Sequence, residues 1–364
     1  MPSPRRALGN AGFAVLGFGL VCGLLNATLP FPEIGVIASQ VRFLKKHRDQ
    51  FDTLFVGSSL VHHQISPAVF DRVMAERGHP TRSFNFGVNG MLVAETSFVL
   101  DRILATKPTR LKWVFIELDE LETRRFAGAE GSRRDVYWRD WKRTKLLVQK
   151  LFASEGDPHS MILEGEAPGF GGVQKRATPA ELLWFHLVQF GKKTANVSRR
   201  IDLAWSLSHL GKAEKMPEDL GPDGDGYAPF HVDMPEAKKL PYQYQMDRAR
   251  PKRGTRFMSP ATAQAYRQMA DKVRKSGATP VFLGMPVISQ VRLEFRPEAR
   301  VEGIVMSFND ENTYPDLYRI EMHAEEIHLN HRGAEKFSTL IAQRLAQLIE
   351  ERSAPLIPAP EADR

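Results

Sequence analysis

The stretch "DTLFVGSSLVHHQISP" (52–67) decides how this chain is read. An apolar run from Leu54 to Val56 ends abruptly in Gly57-Ser58-Ser59, and two histidines, His62 and His63, follow. A short apolar run closed by a turn signal reads as a strand buried on both faces. Ser66-Pro67 then starts a helix, because serine offers an N-cap oxygen and proline suits the first helical turn. The same alternation continues outward. "RSFNFGV" (82–88) and "KWVFIELD" (112–119) read as strands. "SPAVFDRVMAERG" (66–78) and "VAETSFVLDRILATKP" (93–108) read as helices, stopped at Gly78 and near Pro108. Strands alternating with helices imply parallel pairing, since parallel neighbours need a crossover. The expected fold is an α/β three-layer sandwich around a central parallel sheet, of flavodoxin-like type.

The rhythm stops at about Glu120 and resumes near residue 257. "SPATAQAYRQMADKVRKSGATPVFLGMPV" (259–287) reads as a capped helix, a glycine stop and a strand. A long helix follows "EEIHLNH" (325–331), starting near Gly333. Residues 120–256 therefore read as a large, partly helical insertion in a discontinuous domain, 52–119 with 257–352. Within it, "WKRTKLLVQKLF" (141–152) and the stretch 181–212 look helical, whereas "GPDGDGYAPF" (221–230) and "ARPKRGTR" (249–256) look like flexible loops. The Pro-rich tail, 353–364, reads as disordered.

At the other end, Arg5 and Arg6 precede a run with no charge until Glu33. Its length suits a bilayer, so residues 1–32 read as an N-terminal transmembrane signal anchor. Residues 33–51 read as a juxtamembrane linker helix. The bulk of the chain is then expected outside the cytoplasm, on the periplasmic side of the cytoplasmic membrane.

The chain has 364 residues, 42% of them apolar and 26% charged, which permits a sizeable core. The net charge of +7 is modest, and neither a dense basic block nor a nucleic-acid motif is present, so no nucleic-acid partner is expected. Cys22 is the single cysteine, which excludes an internal disulfide and a cysteine zinc cluster. His323, Glu325, His328 and His331 lack the spacing of a zinc motif. No metal and no cofactor is expected.

In an open parallel sheet, ligands bind beyond the carboxyl ends of the strands. "GSS" (57–59), "NFGVNG" (85–90) and "ELDELE" (117–122) fall at such ends, and "EEIHLNH" precedes the last helix. Their order and spacing resemble the SGNH (GDSL-type) hydrolase superfamily. Its first block is matched by Gly57-Ser58-Ser59 and its second by "NFGVNG". Its last is matched by "EEIHLNHRGAEKF" (325–337). The resemblance covers roughly 52–119 and 259–350. It implies Ser59 as nucleophile, His328 as base and Glu325 as the carboxylate that orients it. It also implies an oxyanion hole from the amides of Ser59 and Gly90, with Gly87 the second match for the glycine. The block that normally carries an asparagine donor has none here. Leu121 stands near its place, and Asn89 is the candidate substitute.

The implied activity is that of a membrane-anchored esterase or O-acyltransferase working through an acyl-serine on acyl esters, acetyl above all, of a cell-envelope polysaccharide. Similar anchored branches, the DltD-like and alginate-acetylation-type proteins among them, act in O-acylation of surface polymers. A polytopic membrane acyltransferase is the partner this implies. Two alternatives remain open at this point: a non-catalytic accessory protein of such a system, and a lipid-acyl hydrolase.

Overall fold

A sheet of five parallel strands organises the chain. Numbering all strands in chain order, these are β1 (Thr53–Gly57), β2 (Ser83–Gly87), β3 (Trp113–Glu117), β5 (Thr279–Gly284) and β7 (Ile304–Ser307). A second small sheet pairs β4 (Thr255–Phe257) with β6 (Arg292–Glu294), also in parallel. The computed structural model describes residues 4–28, 34–122, 133–153, 178–195, 220–249, 254–288 and 292–353.

The order in the main sheet is β2-β1-β3-β5-β7. The register aligns Gly57 with Gly87, Val56 with Ile116, Glu117 with Leu283, and Leu283 with Met306. The order turns back on itself between β1 and β3, and this switch point opens a crevice at the carboxyl edge.

Side chains alternate between the two faces, as a period of two requires. Leu54, Val56, Phe84, Phe86, Val114, Ile116 and Phe282 join one buried cluster. It is covered by α2 (Gly35–His47), α5 (Val93–Leu104) and α10 (Pro260–Lys275), through residues such as Ile37, Leu100 and Tyr266. Phe55, Phe115, Val281, Leu283, Ile304 and Met306 join the other. That face is covered by α3 (Ser59–Gln64), α4 (Pro67–Glu76) and α11 (His331–Ser353). Each buried Phe or Leu contributes about 1.5–3 kcal/mol by leaving water, so both faces need their helices. The expected caps form. Ser66 Oγ accepts the Val69 N–H at 3.3 Å, and Ser259 Oγ accepts the Thr262 N–H at 3.2 Å.

The remaining helices are α1 (Pro4–Thr28), α6 (Arg133–Tyr137), α7 (Trp141–Ala153), α8 (Pro179–Thr194) and α9 (Glu236–Ala249). Tyr137, Leu146 and Leu147 belong to the first cluster, and α7 lies against α10, so these helices widen one layer of the fold. Buried Arg143 ties α7 to α5 by donating to the Ser97 carbonyl at 2.8 Å and to Asp101 at 2.5 Å.

Several expectations are corrected here. No N-terminal transmembrane helix is found: α1 is helical, but among the described residues no helix is long and apolar enough to cross a membrane. The span expected to cross, 1–32, begins and ends outside the described residues. The helix expected within 33–51 is α2, and it packs on the sheet. Its Ile37, Ala38 and Leu44 are buried, and Ile37 and Leu44 pack into the sheet cluster. The same apolar stripe suits a protein core and a headgroup layer, and here Ile37 and Leu44 lie in the core. The last helix starts at His331 and runs to Ser353; the expected disordered tail beyond it lies outside the described residues. Part of the loop expected at 249–256 is strand, Thr255–Phe257.

Candidate active site

The turn after β1 is built by hydrogen bonds within and beneath it. Ser58 is the N-cap of α3, and its Oγ accepts the Leu60 N–H at 3.2 Å. Ser59 therefore takes the first helical position, where a backbone N–H has no partner inside the helix. Below the turn, Glu117 at the end of β3 accepts the Ser58 N–H at 2.5 Å on one oxygen and the Ser58 hydroxyl at 2.9 Å on the other. Burial pushes the Glu117 carboxyl up to about 7, against the pull of the Ser58 amide.

The opposing loop is closed by an antiparallel bridge between His323 and Leu329 and by the Ala324 N–H, which donates to the His328 carbonyl at 2.9 Å. Asn330 pins it to α11. Its amide donates to the Glu321 carbonyl at 2.9 Å and to Asp233 at 3.1 Å, and its oxygen accepts the Gly333 N–H at 3.1 Å. Phe337, Ile341 and Leu345 then seat the helix in the second cluster. The sequence "HLNHRGAEKF" is thus a helix cap and its buried stripe, with His328 held in front of it.

These two turns meet. His328 Nε2 lies 2.8 Å from Ser59 Oγ, and His328 Nδ1 lies 2.5 Å from Glu325 Oε1. A carboxylate can only accept, so the imidazole proton sits on Nδ1 and Nε2 is left to accept the serine O–H. The hydrogen bond from His328 holds the Glu325 carboxyl below the usual glutamate range, and the nearby Lys238 ammonium acts in the same direction. Lys238 Nζ lies 3.5 Å from Glu325 Oε2 and 3.0 Å from Glu326 Oε2. The other nearby carboxylates are committed elsewhere, Glu326 to Lys238 and Glu321 to Arg319.

The expected oxyanion residues lie one strand over, on the turn after β2. Gly87 is a site of close approach: a Cβ there would sit 2.2 Å from the His62 backbone nitrogen. Gly90 is exposed, with φ +68, and open space faces its Cα. Asn89 has its side chain against His63, whose ring packs edge-on to His328 at 5.7 Å between centroids. Leu121 is buried in the core, and its N–H donates to Thr262 Oγ1 at 3.1 Å, so no donor comes from that position. Replacing Gly87 by alanine should force α3 off the sheet and carry Ser59 with it. Overpacking of this kind costs about 1–3 kcal/mol, and a lower denaturant midpoint together with at least a tenfold loss of Ser59 reactivity is the expected outcome.

Sequence reasoning missed several neighbours. The segment 221–230, expected to be a flexible loop, is a strap bound at several points. Its Asp225 carbonyl accepts the Asn85 N–H on the edge strand β2 at 2.8 Å. Its Gly226 and Ala228 carbonyls meet His62 Nδ1 at 3.0 Å and His63 Nδ1 at 2.5 Å. Phe230 then packs 4.2 Å from the His63 ring and 5.5 Å from the His328 ring. Burial lowers the His63 pKa, so this imidazole stays neutral beside the relay. Glu117 left one legible signal, a carboxylate closing an otherwise apolar strand. Phe230, Lys238 and Arg134 left none. His323 turns inward, with Nε2 2.9 Å from both the Leu317 carbonyl and the Tyr242 hydroxyl, and burial lowers its pKa to about 4. No group of three or more His, Cys, Asp or Glu suited to a metal occurs among the described residues.

In chemical terms the site can take a proton from a serine hydroxyl and store it on an imidazole backed by a carboxylate. No protein-family model matches the chain, and no curated protein matches it.

Proposed function

We propose that the chain is an SGNH-type serine esterase or O-acyltransferase that handles acyl esters, acetyl above all, of a cell-envelope polysaccharide. The observation that carries this reading is the continuous relay Ser59–His328–Glu325, with 2.8 Å and 2.5 Å between successive polar atoms. An unassisted serine hydroxyl is a poor nucleophile, and a base in hydrogen-bond reach removes that barrier.

Ser59 Oγ attacks the ester carbonyl and its proton passes to His328 Nε2. Glu325 steadies the imidazolium that results. The tetrahedral oxyanion is held by the Ser59 and Gly90 amides. Its collapse breaks the bond to the leaving alcohol, which takes the proton back from His328 and departs. Acyl-Ser59 remains. Water or a sugar hydroxyl then attacks it with the same proton path, giving hydrolysis or transfer. The acyl donor is an ester passed on by a polytopic membrane acyltransferase.

The proposed location is the outer face of the cytoplasmic membrane. The exposed apolar side chains of α1, Phe13, Leu16, Phe18 and Leu20 among them, support contact with lipid.

A fluorophosphonate probe tests the chemistry. The parent chain should be labelled at Ser59, and Ser59→Ala should not be labelled at all. Label retained in that variant would place the nucleophile elsewhere. Turnover of p-nitrophenyl acetate, with little activity on long-chain esters, is the expected substrate pattern.

A further inference from the structure

We propose that Arg134, braced by Glu95, is a positioning residue that fixes the direction of the Gly90 amide and thereby forms the oxyanion hole. This rests on the acyl-serine reading given above. Arg134 comes from α6, far from either block of the relay in sequence. Its Nη1 donates to the Asn89 carbonyl at 2.7 Å. Its Nε and Nη2 donate to the two oxygens of Glu95 at 2.9 Å and 3.0 Å. The Glu95 side chain is 3% exposed, so this carboxylate is a fixed, buried anchor for the guanidinium.

The carbonyl that Arg134 holds belongs to the same peptide unit as the Gly90 N–H. A trans peptide is planar, with its C=O and N–H pointing in opposite directions. Holding the carbonyl on one side aims the amide to the other. The turn itself makes this matter. The Met91 N–H donates to the Val88 carbonyl at 3.0 Å, so residues 88–91 form a β-turn with Asn89-Gly90 at its centre. Gly90 has a positive φ and Asn89 does not, which is the type II arrangement. Types I and II differ mainly by a flip of that central peptide, and turning it over would point the Asn89 oxygen where the Gly90 amide had been. Arg134 selects one of the two orientations. A charge-assisted hydrogen bond to the carbonyl also polarises the peptide, which makes its N–H a stronger donor.

This arrangement answers the lack of a side-chain donor at Leu121. With that position buried, the hole depends on backbone amides, and the amide of an exposed turn needs an external latch. The described part of the insertion supplies it.

The test uses the full chain and the rate of fluorophosphonate labelling at Ser59. Losing one oxyanion donor costs about 10²–10³-fold in rate, so Arg134→Gln should label about 10²-fold more slowly. On p-nitrophenyl acetate its kcat should fall while KM holds. Arg134→Lys, which keeps one charged donor, should recover part of the loss. Arg134→Ala should regain at least tenfold when millimolar guanidinium is added, a response that a purely structural role would not produce. Labelling of Arg134→Gln at the parental rate overturns the proposal, as does a loss that guanidinium leaves untouched and that appears in KM alone. A parent chain that does not label overturns the acyl-serine reading and this inference with it, so the two failures are distinguishable.

Discussion

Replacing His328 by alanine is expected to slow acylation of Ser59 by about 10⁴–10⁶-fold, the range seen when the base of a serine relay is removed. The size of the effect follows from geometry. Among the described residues the base that meets Ser59 Oγ is His328, 2.8 Å away, and the neighbouring His63 is turned toward the Ala228 carbonyl, its pKa lowered by burial. Glu325→Gln should cost up to about 10⁴-fold, by a different route. An amide facing Nδ1 favours the imidazole tautomer with its proton on Nε2, the wrong side to receive one from serine. The acid limb of activity should not be set by Glu325. Its pKa is depressed, so its ionised form, and the stability it lends, is complete above the unfolded carboxyl range and is lost only as pH falls through the lower folded value. Fluorophosphonate labelling rates measure all of this. A His328→Ala chain within tenfold of its parent would show that the serine proton leaves by another path.

The second large effect concerns stability. Glu117 is buried beneath the Ser58–Ser59 turn, and its pKa is raised to about 7 from the usual value near 4.3 for an unfolded chain. A carboxyl with a raised folded pKa binds its proton more tightly when folded. The contribution of Glu117 to stability is therefore greatest below about pH 4 and declines as pH rises to about 7, by about 3 kcal/mol in all. Glu117→Gln is nearly isosteric and carries no charge. Its carbonyl can accept the Ser58 N–H, and its amide can donate to the Ser58 hydroxyl. The advantage of the variant over its parent should grow by roughly 2–3 kcal/mol between pH 5 and pH 8. Other buried groups titrate in this window, Asp225 among them with a pKa raised to about 6 by burial, but they are common to both chains and cancel in the difference. Denaturant midpoints across pH 5–8 provide the measurement. Parallel pH profiles for the two proteins would mean that Glu117 bears no uncompensated charge.

What the sequence could show was local. The strands β1, β2, β3 and β5 are short apolar runs between turn signals, α4 and α10 carry their own serine caps and glycine stops, and α11 opens on the Asn330 cap. β7 was not legible: it is a run of four residues at the sheet edge. Neither was α9, which has Pro241 inside it and no clear apolar stripe. The amphipathic pattern of α2 was visible, but what it covers was not.

The same division runs through the site. Ser59 and His328 stood out because each lies in a short motif whose spacing has a local cause: a strand that ends in a helix cap, and a loop that enters one. That they meet at 2.8 Å, that Glu325 rather than Glu321 or Glu326 faces the imidazole, and that Glu117, Phe230 and Arg134 surround them was decided by the tertiary structure. Patterns along a chain report interactions a few residues apart. Apart from the Glu325–His328 bond, which spans three residues, these contacts join residues tens to hundreds of positions apart, and they exist only once the sheet order has brought its carboxyl edge, the strap and α6 together.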